Sequence, residues 1–241
     1  MAFSRLVPIV AAALLAACSP TGCNMAPTGQ ANDPLGSPQP VRPEDVSDSA
    51  VRTIAFLGDS ITAGLGLPSQ QAYPHIVQQM FEAEGYGEVE VVNGGISGDT
   101  TAGGARRVDQ LLGPSTTTLV VALGGNDALR GLSAGQTYDN LASIIDAGLA
   151  SDVSVVLVGM EAPTNYGTDY QDAFRGAFLR LSRQYQGSIT FVPFLLEGVA
   201  GNPALNQQDG IHPNEQGARV IAELLYPRLR DIVDRQSSAA R

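Results

Sequence analysis

Five short apolar segments are spaced along the chain, and they constrain its fold more than any other feature. They span residues 51–57, 88–92, 118–123, 153–159 and 189–192, and all are rich in Val, Ile and Leu. None alternates cleanly between apolar and polar residues. This pattern is typical of strands that are buried on both faces of a sheet, so it predicts a sheet that is covered by helices on both sides.

Helical segments are predicted between these strands, over residues 73–84, 101–112, 137–150, 169–186 and 214–235. The first begins at Tyr73 and stops near Gly85, a residue that commonly ends helices. In the fourth, Phe174, Phe178 and Leu181 recur at helical spacing and predict one buried stripe. Because strand and helix alternate throughout, we expect a parallel sheet in an α/β fold.

Residues suited to catalysis follow three of the predicted strands. Gly58, Asp59 and Ser60 come directly after the first strand, and the glycine-rich segments 94–100 and 124–127 follow the second and third. In parallel sheets, functional residues gather in the loops at the carboxyl ends of the strands. We therefore expect these three segments to lie close together.

The other end of the chain supplies an acid and a base. Asp209 precedes His212 by three positions, and His212 is one of only two histidines in the chain. Together with Ser60 they predict a serine hydrolase, in which the serine is the nucleophile, the imidazole is the base and the carboxylate orients the imidazole. The other histidine, His75, lies early in a predicted helix with no acid at similar spacing, so we interpret it as structural or solvated.

These segments, in this order, resemble the GDSL, or SGNH, hydrolase family. The four marker residues of the family correspond to Ser60, Gly98, Asn126 and His212, with Asp209 as the third member of the triad. The chain is most similar to the branch that contains periplasmic acyl thioesterases, lysophospholipases and arylesterases. The resemblance implies a flavodoxin-like, three-layer α/β/α sandwich with five parallel strands in the order 2-1-3-4-5. It also implies catalysis without a metal or a cofactor.

The resemblance further implies an oxyanion hole. Its candidate donors are the backbone N–H groups of Ser60 and Gly98 and the side-chain amide of Asn126. Two alternatives stay open, because Ser60 could cap the following segment and Asn126 could be a turn residue with a positive φ angle. Asp99 and Asp127 are other acidic candidates, which we interpret as loop and helix-cap residues.

Composition excludes several other chemistries. The chain has no lysine, which excludes lysine Schiff bases, Ser-Lys dyads and phosphate-loop lysines. Its net charge is −10, and no basic patch is visible, so nucleic-acid binding is not expected. With only two cysteines, both near the amino terminus, we expect no metal site built on cysteine.

The amino terminus resembles a bacterial export signal. Arg5 precedes an apolar stretch over residues 6–17 that is too short to span a bilayer. The stretch ends in a Leu-Ala-Ala-Cys sequence similar to a lipoprotein processing box, which predicts lipidation at Cys18. The alternative is an ordinary cleaved signal peptide. We expect a monomeric cell-envelope lipoprotein that is held at the outer membrane by its lipid anchor.

The predicted domain organisation follows from these patterns. It consists of a signal peptide over residues 1–17, a lipidated cysteine and disordered linker over 18–49, a hydrolase domain over 50–235 and a flexible tail over 236–241. The predicted activity is hydrolysis of short-chain or medium-chain acyl or aryl esters through an acyl-serine intermediate. The alternatives are an acyl thioesterase or lysophospholipase with the same mechanism, a sugar deacetylase, and a non-catalytic envelope lipoprotein that acts as a binding module.

Overall fold

The computed structural model describes residues 51–239, in which five strands form one parallel sheet. The strands are β1 (Arg52–Gly58), β2 (Val89–Gly95), β3 (Thr116–Ala122), β4 (Ser154–Val158) and β5 (Ile189–Val192). They are ordered β2-β1-β3-β4-β5, and every neighbouring pair is parallel. This topology confirms the predicted α/β fold and its strand order.

Helices connect the strands. They are α1 (Ser60–Ala63), α2 (Tyr73–Ala83), α3 (Thr101–Arg107), α4 (Gly125–Leu129), α5 (Ala134–Ala150), α6 (Thr168–Gln184) and α7 (Glu215–Ala239). Helix α2 packs against α7, while α5 packs against both α3 and α6. The sheet therefore lies between two helical layers, and the short helices α1 and α4 follow the carboxyl ends of β1 and β3.

The core is built from the central strands and the inner faces of the helices. Phe56 on β1 and Val120 on β3 are fully buried. The predicted stripe on α6 is buried as well, with Phe174 and Leu181 fully covered and Phe178 2% exposed. Because apolar side chains are buried on both faces of the sheet, the positions where its strands end are firmly fixed.

The last helix continues further than predicted, so the expected flexible tail at 236–241 is wrong for residues 236–239. Helix α7 ends at Ala239, and Gln236 donates hydrogen bonds to the Thr117 carbonyl at 3.0 Å and to Ser154 Oγ at 3.1 Å. These contacts with the amino ends of β3 and β4 hold the final turn against the sheet. The polar sequence at residues 236–238 does not by itself predict such contacts.

The predicted signal peptide, the lipidation site Cys18 and the linker at 18–49 lie outside the described residues. Within residues 51–239, no helix combines the length and apolar character that crossing a membrane requires.

Candidate active site

The proposed nucleophile lies in a tight turn at the end of β1. Asp59 caps α1, since its Oδ1 accepts a hydrogen bond from the Ile61 N–H at 3.0 Å, and Ser60 is the first residue of that helix. A β-carbon on Gly58 would lie 1.9 Å from Thr62 Oγ1, so the turn requires glycine there. The cap is thus Asp59 rather than Ser60, which leaves the serine hydroxyl free for other contacts.

The fold brings the serine, the histidine and the aspartate into one hydrogen-bonded line. Ser60 Oγ lies 2.9 Å from His212 Nε2, and His212 Nδ1 lies 2.7 Å from Asp209 Oδ2. The side chains of His212 and Asp209 are 18% and 46% exposed, so the acid end of the line reaches solvent. These are the distances at which an imidazole can accept a proton from the serine hydroxyl.

Local hydrogen bonds keep the acid ionised. Asp209 Oδ1 accepts from the backbone N–H groups of His212 at 3.0 Å and Ile211 at 2.9 Å. Hydrogen bonds from the His212 backbone, the His212 ring and the Ile211 backbone, in that order of size, lower the pKa of Asp209 to about 2. At neutral pH the group is therefore a carboxylate that accepts a hydrogen bond from His212 Nδ1–H.

The three candidate oxyanion donors lie on segments that follow neighbouring strands. Within residues 51–239, the backbone N–H groups of Ser60 and Gly98 donate to no protein acceptor. Gly98 has a φ angle of 81°, a left-handed conformation that favours glycine. Asn126 lies in α4, and the positive φ angle falls on Gly124, so Asn126 is not the positive-φ turn residue that the sequence left open.

Asp59 is a site residue that the sequence interpretation missed. Its carboxyl group is 2% exposed, and Oδ2 accepts a long hydrogen bond of 3.4 Å from the side-chain amide of Asn126. Burial raises the pKa of Asp59 to about 6, while the hydrogen bond from Ile61 and the charge of His212 act in the opposite direction. Asp59 thereby links the nucleophile turn to a candidate oxyanion donor. Its place in the turn between Gly58 and Ser60 was the available signal.

The sequence interpretation also missed Arg107, whose side chain holds the ends of β1 and β2. Its guanidinium donates to the Gly58 carbonyl at 2.9 Å, to the Gly94 carbonyl at 2.7 Å and to Asp99 Oδ2 at 2.7 Å. The Arg107 and Asp99 side chains are only 13% and 12% exposed. Asp99 is therefore an ion-pair partner and not only a loop residue, and the pair holds the Gly98 segment beside the nucleophile turn.

Other acidic and basic candidates have separate roles. Asp127 is buried and accepts from the backbone N–H of Thr101 at 2.9 Å, which joins α4 to the start of α3. His75 is exposed on α2, and within residues 51–239 it forms no ion pair. In the same part of the chain, no three His, Cys, Asp or Glu side chains are grouped so that they could hold a metal.

An apolar cavity of about 300 Å³ opens beside the nucleophile turn. Ile61 and Ile211, which are neighbours in sequence of Ser60 and His212, are among the residues that line it. Its lining is mainly apolar and includes Leu129, Met160, Ala162, Pro163, Phe194 and Leu196. Such a cavity can hold an apolar acyl or aryl group with its ester bond near the serine.

Several known proteins are similar to this chain in sequence. A sequence model of the GDSL-like lipase/acylhydrolase family matches residues 56–220. Esterase TesA from Pseudomonas aeruginosa is 40% identical over 186 residues, which cover 77% of this chain and 91% of that protein. An arylesterase from Vibrio mimicus is 35% identical, with coverage of 76% and 90%. Thioesterase 1/protease 1/lysophospholipase L1 from Escherichia coli is 33% identical, with coverage of 78% and 88%.

Solved structures of the same kind superpose on the chain. A crystal structure of TesA matches with a TM-score of 0.70 and 39% identity, and the match covers 75% of this chain and 99% of that one. The psychrotrophic esterase EstA from Pseudoalteromonas sp., solved in a form inhibited by monoethylphosphonate, matches with a TM-score of 0.69 and 29% identity. That match covers 76% of this chain and 99% of the EstA chain.

Proposed function

Because the chain belongs to the GDSL-like lipase/acylhydrolase family and is a carboxylic ester hydrolase, we propose that Ser60 attacks the ester carbonyl directly. The proposed substrates are short-chain or medium-chain acyl or aryl esters, which are cleaved through an acyl-serine intermediate. The observation that carries this proposal is the line of contacts from Ser60 Oγ to His212 Nε2 and from His212 Nδ1 to Asp209.

The proposed reaction has two halves. In the first, His212 Nε2 accepts the proton of the Ser60 hydroxyl while the serine oxygen bonds to the ester carbonyl carbon. The tetrahedral intermediate then collapses, and His212 returns the proton to the departing alkoxide, which leaves as an alcohol. In the second half, water replaces the serine as nucleophile by the same route and releases the carboxylic acid.

Charge develops on the carbonyl oxygen during both attacks. The unbonded N–H groups of Ser60 and Gly98 and the amide of Asn126 are proposed to stabilise it, since preorganised donors are most effective where charge forms. The carboxylate of Asp209 is proposed to stabilise the protonated His212 and to fix its tautomer. Asp59 is proposed to position Asn126, because its Oδ2 lies 3.4 Å from the Asn126 amide nitrogen.

The cavity supports a second candidate with the same mechanism. Its apolar lining would accept the acyl chain of a thioester or a lysophospholipid, and one relative carries both of these activities in its name.

The location proposed for the enzyme is the bacterial cell envelope. The apolar stretch at residues 6–17 and the processing sequence that ends at Cys18 support export and lipidation. Globomycin treatment should then cause the unprocessed precursor to accumulate, and Cys18→Ser should abolish incorporation of labelled palmitate. An ordinary signal peptide predicts processing that is insensitive to globomycin.

The experiment that tests the proposed activity is a substrate panel. Hydrolysis of p-nitrophenyl esters, acyl-CoAs and lysophospholipids should be measured for the wild-type protein, with the Ser60→Ala protein as the blank. Ester hydrolysis above the blank is expected, and the preferred class gives the substrate. A folded wild-type protein that hydrolyses no member of the panel would instead favour the non-catalytic binding module.

A further inference from the structure

Large apolar side chains are exposed mainly around the proposed active site. Within residues 51–239, eight such side chains are between 37% and 52% exposed. Two of them, Val51 and Leu179, lie elsewhere, at the amino end of β1 and on α6. The other six, which we call the apolar rim, lie in the connections that follow the five strands: Leu65, Ile96, Leu129, Leu132, Tyr166 and Ile211.

Hydrogen bonds join the connections that carry the rim on one side of the site. Arg130, the residue after Leu129, donates to the carbonyl of Gly98 at 2.9 Å, which ties the connection of Ile96 to that of Leu129. Tyr166 Oη donates to the Leu129 carbonyl, also at 2.9 Å. These side chains therefore belong to connections that are held together.

The other side of the site is joined in the same way. Gln207 Nε2 donates to the carbonyl of Leu65 at 2.7 Å, and the Gln207 N–H donates to the carbonyl of His212 at 2.7 Å. Ile211 and Leu129 line the same cavity. Two rim residues therefore line the cavity beside Ser60, and the other four lie on connections at the same carboxyl edge of the sheet.

Single exposed apolar residues are ordinary on a protein surface, whereas a group of them around one opening indicates an interaction surface. The rim remains in contact with water in the free domain. Contact with a lipid surface would remove these side chains from water, which is favourable in proportion to the apolar area buried.

Charge indicates which lipid surface fits. The connections that carry the rim contain one arginine, Arg130, whose guanidinium already donates to a backbone carbonyl. They also carry the exposed carboxylate of Asp209, and the whole chain has a net charge of −10. An anionic surface would repel such a protein, because proteins that bind anionic lipids normally do so through clustered Lys and Arg. Uncharged or zwitterionic headgroups avoid this repulsion.

We propose that the apolar rim docks the domain onto uncharged or zwitterionic lipid surfaces, so that esters at the surface enter the cavity beside Ser60. The catalytic consequence rests on the proposed function, whereas docking itself requires no chemistry.

Sedimentation with vesicles tests the docking. Residues 51–241 contain the whole described core, and the TesA crystal chain matches a segment of similar extent, so this part can be produced alone. It should carry Ser60→Ala, which prevents hydrolysis during the measurement. We expect it to sediment with phosphatidylcholine vesicles, and to bind less when phosphatidylglycerol is included.

Variants locate the docking surface. Adding Ile96→Ser and Leu132→Ser should weaken partitioning by roughly tenfold or more, since two apolar side chains are lost from the contact. The matched control, Val51→Ser with Leu179→Ser, removes two equally exposed side chains away from the rim and should change partitioning by less than about twofold. Thermal unfolding of each protein checks that it is folded.

Three results would overturn the docking proposal: folded protein that does not sediment with phosphatidylcholine, equal losses in the rim and control variants, or stronger binding to phosphatidylglycerol. Hydrolysis of dissolved p-nitrophenyl butyrate by the wild-type domain is measured separately. Loss of that activity with intact vesicle binding would reject the proposed function and leave the docking proposal standing.

Discussion

At the scale of single residues, the candidate site depends on carboxyl groups in opposite environments. Asp209 is exposed and accepts three hydrogen bonds, which lower its pKa, whereas Asp59 is buried and its pKa is raised. The first environment suits a carboxylate that orients His212. The second suits a group that holds Asn126 and the nucleophile turn in place.

Asn126 is proposed to donate to the oxyanion, so Asn126→Ala should lower kcat by roughly a thousandfold, or about 3–4 kcal/mol. The side chain is only partly buried, and the melting temperature should change little. Steady-state hydrolysis of a p-nitrophenyl ester gives kcat, and circular dichroism gives the melting temperature. A variant that keeps most of its kcat would show that Asn126 does not stabilise the transition state.

The raised pKa of Asp59 predicts a specific dependence of the protein's stability on pH. Because its pKa is raised from 3.8 to about 6, the folded protein binds this proton more tightly than the unfolded chain does. The contribution of Asp59 to the free energy of unfolding is therefore fully present below about pH 4 and is lost as the pH rises to about 6. The loss should amount to about 3 kcal/mol.

Asp59→Asn removes this ionisation. The stability of the wild-type protein relative to the variant should therefore fall between about pH 4 and about pH 6 and then stay constant. Urea unfolding at several pH values measures it, with Asp139→Asn, an exposed carboxylate on α5, as the matched control. A wild-type-to-variant difference that does not change with pH would contradict the raised pKa.

At the scale of elements, the sequence predicts the strands and long helices well and the short helices poorly. Each of the five strands was expected within a few residues of its observed bounds, because runs of buried Val, Ile and Leu mark them directly. Helices α1 and α4 have four and five residues, which is too short for a helical period to be visible. The end of α7 was missed because its last turn is held by tertiary contacts of Gln236.

The residues of the site also divide into those that the sequence predicts and those that depend on tertiary contacts. Ser60, Asp209 and His212 could be predicted as candidates from their residue types and positions, and the resemblance to the family singled out Gly98 and Asn126. Arg107 could not, because its partners at 58 and 94 are backbone carbonyls, which leave no pattern in the sequence. Their catalytic roles remain predictions, although the fold brings the triad candidates into contact.

Strand β2 lies so close to α1 that one methyl group added at Gly95 should displace the nucleophile. A β-carbon on Gly95 would lie 2.2 Å from the backbone nitrogen of Ala63 in α1. Gly95→Ala should therefore push α1 away, lower the unfolding free energy by about 1–3 kcal/mol and lower kcat. Gly87→Ala is the control, because no atom lies within 4 Å of the added carbon. Equal kcat and melting temperature in both variants would contradict this account of the turn.

At the scale of the whole molecule, the described core and the candidate site lie within residues 51–239. The family match at residues 56–220 falls inside the same region. The apolar rim and the cavity face the carboxyl edge of the sheet, while Val51 enters at the amino edge. Val51, the first residue of the described domain, therefore lies at the edge of the sheet opposite to the proposed reaction site and docking surface.

This organisation predicts that residues 51–241 are sufficient for catalysis on dissolved esters. Their kcat/KM for p-nitrophenyl butyrate should equal that of the complete chain, because every candidate catalytic side chain and the cavity belong to this part. Parallel steady-state measurements on the two proteins test the expectation. A folded but inactive domain would show that the first fifty residues contribute to the site.

The central claim is that contact with His212 activates Ser60 as a nucleophile. Covalent labelling by a fluorophosphonate, followed by mass spectrometry of the modified peptide, tests it most directly. We predict a single adduct on Ser60, which is absent in Ser60→Ala and forms much more slowly in the folded His212→Ala protein. Labelling at another residue, or labelling of Ser60 at an unchanged rate without His212, would contradict the account.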